Sequence, residues 1–150
     1  MNALPRLTCA TVILWAGLAP VAAQQPSTVA NRDIDPNTLA TAGLHVVQLI
    51  DSGRAGEVWD GASAVAKRSV DRRKFTDTID AQRKPLGPAA SRRWTSVSRH
   101  STPGSGPLPA GTYANVEFET RFAGDRPGYE LVSFRQDEDG TWRLSGYVLK

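Results

Sequence analysis

The chain has 150 residues, 40% of them hydrophobic and 22% charged, and a formal net charge of +3. That length gives one domain with a real core. The charge is too modest to single out a polyanion-binding protein. One cysteine and two histidines rule out a disulfide framework and leave no His/Cys cluster with metal-ligand spacing.

Arg6 sits in a short polar start, Leu7 to Leu18 is largely apolar, and Val21-Ala22-Ala23 offers small residues to a signal peptidase. This layout predicts a secretory signal over residues 1–23, cleaved near Ala23. The apolar run is short for a membrane span, so no transmembrane span is expected after its removal. A periplasmic or secreted location follows. Cys9 falls inside the signal, so a mature chain starting at Gln24 lacks cysteine and depends on packing alone. Residues 24–34 are polar and read as a flexible tail ahead of a single domain over residues 35–150.

Asp35-Pro36 starts a first helix, in which Leu39, Val46, Val47 and Ile50 recur at helical spacing until Ser52-Gly53. A second helix, Ala55 to Ala66, carries Trp59. Asp71 caps a third, with Phe75, Ile79 and Arg83 on one face and an end at Lys84, before Pro85. Arg92 to Ser101 reads as a strand, although Trp94 and Val97 do not share a period-two face. Thr102 to Gly111 is a glycine- and proline-rich loop.

From Tyr113 to Phe122 the chain alternates, with Ala114, Val116, Phe118, Thr120 and Phe122 on one side. A loop over Ala123 to Gly128 leads to a strand over Tyr129 to Arg135. Asp139-Gly140 signals a hairpin into a last strand, Thr141 to Leu149, with Trp142, Leu144, Gly146 and Val148 on one face. Short turns make these strands antiparallel. The expected fold is α+β: N-terminal helices packed on a curved antiparallel four-stranded sheet, a shape that leaves a conical cavity at one end.

Several motifs recur together: Trp59-Asp60-Gly61-Ala62-Ser63, Arg83-Lys84-Pro85-Leu86-Gly87, Leu108-Pro109 with Gly111-Thr112-Tyr113, Phe118 to Ala123, Glu130, and Asp139-Gly140-Thr141-Trp142 through Gly146-Tyr147. The chain resembles, over roughly residues 37 to 149, the bacterial domain of unknown function 4019 family. The resemblance implies a small exported protein with a cystatin-like or nuclear-transport-factor-two-like cone fold. It implies no activity.

Arg83 shares a helical face with Phe75 and Ile79, where a charge is costly unless paired. Either a sheet carboxylate holds it, with Glu130 ahead of Glu117 and Glu119, or it snorkels to water. Trp59, Trp94, Tyr113 and Tyr147 are candidates for an aromatic pocket, against the more ordinary reading as core and strand aromatics. His45 reads as structural, and Ser63 is not in a nucleophile elbow. His100, next to Ser101, has no acid nearby in sequence. Asp51 and Asp60 are candidate bases by fold analogy alone. No catalytic residue, cofactor or metal is expected.

Lys67 to Arg99 holds ten bases and three aspartates, a solvated face rather than a nucleic-acid site. The expected function is a non-enzymatic module binding a small molecule or an envelope protein. The alternatives are a cavity-based lyase or isomerase, and a structural protein that dimerises through its sheet.

Overall fold

The computed structural model describes residues 34–150. The expected signal over residues 1–23, and the expected tail up to residue 33, lie outside the described residues. Helix α1, Pro36–Asp51, starts where Asp35 Oδ1 accepts the Asn37 N–H at 3.2 Å and Pro36 occupies the first helical position. It buries Leu39, Ala40, Gly43, Val46, Val47 and Ile50, a stripe at helical spacing.

The helix expected over Ala55 to Ala66 is instead two short ones, α2 (Ala55–Asp60) and α3 (Ala64–Ser69). Ser63 breaks it. A continuous helix would need the Ser63 N–H for Trp59 C=O, but that N–H donates to Leu144 C=O of the sheet at 2.8 Å. The freed Ser63 Oγ then accepts the Ala66 N–H at 3.2 Å and caps the new helix. Helix α4, Arg72–Arg83, begins at the Asp71 cap, whose Oδ1 accepts the Lys74 N–H at 2.8 Å.

Four strands follow: β1 (Ala89–Thr102), β2 (Gly111–Phe122), β3 (Arg126–Gln136) and β4 (Trp142–Leu149). They form one antiparallel meander in sequence order. The fold is therefore α+β, with the helices over one face of the sheet. β3 begins earlier than its apolar pattern suggests. Pro127 is tolerated because it pairs only with Arg121 of β2, before β4 joins at Glu130.

Two bulges decide which side chains reach the core. In β1 the register slips between Trp94 and Ser96, leaving Thr95 extra. Trp94 then lies opposite Phe118 and Val97 opposite Val116, both on the core face, which explains their odd spacing. In β4 the register slips between Leu144 and Gly146. The expected common face of Trp142, Leu144, Gly146 and Val148 is therefore corrected: Leu144 opposes Phe134, but Tyr147 opposes Val132 and Val148 turns outward. A one-residue insertion inverts everything beyond it.

The core lies between the α1 stripe and the inner sheet face, with Val47, Val116, Phe118 and Val132 essentially inaccessible. Gly43 lets α1 come close. A Cβ there would lie 3.1 Å from Val116 Cβ and 3.2 Å from Phe118 Cζ. Among the described residues, no helix is long and apolar enough to cross a membrane.

Candidate functional site

The inner sheet face becomes polar towards the ends of α1 and α4. Cross-strand register places Arg92 opposite Thr120, Phe118 opposite Glu130, and Val132 opposite Tyr147. Asp51 closes α1 and Arg83 closes α4, so one carboxylate and one guanidinium descend on the four strands from above.

Glu130 is completely buried. Its Oε2 accepts Arg92 Nε at 2.7 Å and the Thr120 hydroxyl, and its Oε1 accepts the Tyr147 hydroxyl at 2.7 Å. Asp51 accepts Arg83 Nη2, and also Arg92 through Nη1 at 2.7 Å and Nη2 at 3.2 Å. Arg83 Nη1 approaches Glu130 Oε1 only to 3.9 Å and has no hydrogen-bond partner, while the guanidinium carbon lies 4.4 Å from the Phe122 ring centre. Two arginines thus face two carboxylates, and the network is neutral in sum.

Burial lowers the pKa of Arg92, but its hydrogen bonds to Asp51 and Glu130 more than restore it, leaving it above the ordinary value. Burial, then the charge and hydrogen bond of Glu130, hold the Tyr147 phenol protonated well beyond the usual tyrosine range, against the opposing pull of Arg83 and Arg92. Every carboxylate oxygen in the network accepts at least one hydrogen bond, and both acids are engaged by arginine. A shallow cleft of about 520 Å³, lined by Asp51, Asp80, Arg83 and Lys84 among others, lies beside it.

Arg83 is therefore held first by Asp51 of α1, with the sheet carboxylate Glu130 further off; Glu117 and Glu119 lie on the opposite sheet face. Of the six candidate residues, Arg83, Glu130 and Tyr147 meet in this network. The other three stand apart. Trp59 Nε1 donates to Val70 C=O at 3.1 Å with Lys67 Nζ 5.2 Å from its ring, tying α2 to the segment after α3. Tyr113 is buried on the outer sheet face, stacked on His100 and donating to Pro109 C=O at 2.9 Å. The four aromatics do not share a pocket. Asp60 lies on the surface, bound through both oxygens by Arg72 at 2.9 and 3.1 Å.

Arg92 and Thr120 are network members that the linear pattern does not single out. A legible trace exists for one: Thr120 is a buried hydroxyl between Phe118 and Phe122 on the largely apolar face of β2, where it needs a partner.

Trp94 is 54% exposed and Leu44, across from it on α1, is 39% exposed. Between them runs a groove of about 220 Å³, lined also by Asn37, Ala40, Thr41, Arg92, Arg93 and Phe118. Among the described residues, no group of His, Cys, Asp and Glu has the arrangement to hold a metal ion.

The sequence profile of one family, described as a protein of unknown function (DUF4019), matches residues 42–147. No protein of curated function matches the chain. Among solved structures, it is similar to a Campylobacter jejuni protein named as an NTF2-like transpeptidase. The TM-score is 0.46 and the identity 15%, with 74% of this chain and 97% of that one covered.

Proposed function

The chain belongs to the DUF4019 family of proteins of unknown function, and from that premise we propose that it is an exported, non-enzymatic module that binds a protein partner through the groove between α1 and β1. The observation that carries this reading is Trp94. A tryptophan more than half exposed, facing an exposed leucine across a groove, is an apolar-aromatic surface of the kind that protein partners cover. The charged network supports it from the other side. The buried Glu130 and the more exposed Asp51 are both committed to arginine, whereas a lyase or isomerase needs one cavity carboxylate free to accept a proton. Sheet-face dimerisation has less support, because the outer face is polar: Ser133 and Asn115 hydrogen-bond there at 2.8 Å, beside Glu117 and Glu119.

Export is supported by the Arg6, Leu7–Leu18, Val21-Ala22-Ala23 layout and by a downstream chain free of cysteine. An amino-terminal sequence starting near Gln24 in protein recovered outside the cytoplasm is the expected result. Recovery of only the uncleaved chain would count against it.

The groove is tested by titrating isotope-labelled protein with indole-3-acetate and phenylacetyl-glycinamide. The expected shifts fall on Ala40, Leu44 and the Trp94 indole N–H, and disappear in Trp94→Ala. Shifts centred on Asp51, Arg83 and Tyr147 would instead favour a reaction chamber at the charged network.

A further inference from the structure

We propose that the Ser96–Thr102 segment of β1 accepts an added β-strand from an acidic, extended protein segment, one of whose apolar side chains seats between Trp94 and Leu44. This rests on the groove reading above and names its occupant.

The two sheet edges are treated differently. The β4 edge is closed by the α2–α3 connection, where the Ser63 N–H donates to Leu144 C=O at 2.8 Å and α3 packs alongside. The β1 edge has no pairing partner among the described residues, and none of its side chains is fully buried. An unpaired edge offers a row of backbone donors and acceptors to another strand.

Bulges at Ala90 and Thr95 interrupt the first half of β1 and discourage indiscriminate pairing there. From Ser96 to Thr102, however, seven residues pair with Glu117 to Gly111 without irregularity. That exceeds the usual strand length of roughly 5–6 residues. The regular stretch starts next to Trp94, so a strand laid along it brings its end to the groove.

Charge selects the occupant. Ala89–Thr102 contains Arg92, Arg93 and Arg99 and no carboxylate. A second copy of the chain is disfavoured on this ground. Full antiparallel overlap of two β1 strands sets Arg92 against Arg99 of the other copy, and overlap of the regular stretches alone sets Arg99 against its own counterpart; like charges directly opposed destabilise a strand pair. Arg92 is committed to Asp51 and Glu130. Arg93 is tied only by an exposed pair with Glu119, the kind of contact that contributes little and exchanges readily. Arg93 lies on the outer sheet face beside Trp94, so an incoming strand that carries glutamate or aspartate on that face meets attraction there, and one that carries lysine meets repulsion.

The test uses the full chain, isotope-labelled, and three short peptides. One alternates glutamate with valine and carries phenylalanine in place of its last valine, the second has lysine for glutamate, and the third is the acidic peptide with alternate backbone nitrogens methylated. The acidic peptide is expected to slow hydrogen exchange at alternate amides between Ser96 and Ser101, and to shift Leu44 and the Trp94 indole. Affinity should fall about tenfold or more for the lysine peptide and for the methylated one. Arg93→Glu should reverse the charge preference. Shifts at Leu44 and Trp94 without protection of β1 would overturn strand addition while leaving the groove reading in place. Silence at both would overturn both. Equal affinity for the lysine peptide would remove the acidic assignment. A dimer in sedimentation, with Ser96–Ser101 protected before any peptide is added, would assign the edge to a second copy and overturn the proposal.

Discussion

Glu130 shows how much a single side chain can require of its surroundings. A carboxylate with no solvent exposure is tolerated only when its lone pairs are occupied, and Arg92, Thr120 and Tyr147 occupy them. Arg92 also clasps Asp51, so it links strand, strand and helix at once. Arg92→Met is therefore expected to destabilise the fold by roughly 3–5 kcal/mol, read as a lower urea midpoint, because it strands a buried charge. A loss below about 1 kcal/mol would mean that Glu130 finds another partner or is not charged.

Tyr147→Phe removes one hydrogen bond to the same carboxylate, worth about 1–3 kcal/mol near neutral pH. The folded-state pKa of Tyr147 is raised above its ordinary 10.0, so its contribution is fully present below that pH and is lost as pH rises beyond it. Urea denaturation of both proteins should show the gap between wild type and Tyr147→Phe narrowing above about pH 10. A gap that widens there would contradict the sign.

Among the elements, the decisive contact is α1 lying close over β2. Gly43 sets that distance, since a Cβ at this position meets Val116 and Phe118 at 3.1–3.2 Å, tighter than ordinary packing. Both neighbours are buried and have little room to move. Gly43→Ala should therefore destabilise by about 1–3 kcal/mol through overpacking, despite alanine's better helix propensity. Thermal unfolding decides it: an unchanged or higher melting temperature would show that α1 can lift without loss. The α2–α3 break illustrates the same dependence on the sheet. Six-residue helices are not stable alone, and Ser63 holds this pair in place through its N–H to Leu144 C=O and its cap on Ala66.

For the molecule as a whole, helices cover one sheet face, buried charge is neutralised within it, and an aromatic groove opens beside an unpaired edge. These features separate stability from recognition. Trp94→Ala should change unfolding free energy by no more than about 0.5 kcal/mol, because the residue is over half exposed, yet abolish the groove-directed shifts. A large stability loss would instead make Trp94 part of the core.

What was legible and what was not divides along locality. Alternation from Tyr113 to Phe122, the Asp35-Pro36 and Asp71 helix starts and the Asp139-Gly140 hairpin are local consequences of backbone geometry and one-sided burial, so the linear chain determines an α+β meander beneath helices. The Arg83 problem was visible in the same way, as a charge among apolar neighbours. Its solution was not, because Asp51 and Arg92 come from 32 and 9 residues away, on different elements, and meet only once the layers are packed. The bulges at Thr95 and Ser145, which turn Trp94 and Tyr147 to the inner face, and the diversion of the Ser63 N–H to β4 belong to that level too. Tertiary structure decided them because register and long-range pairing minimise the energy of the assembled core, and no window of neighbouring residues encodes that sum.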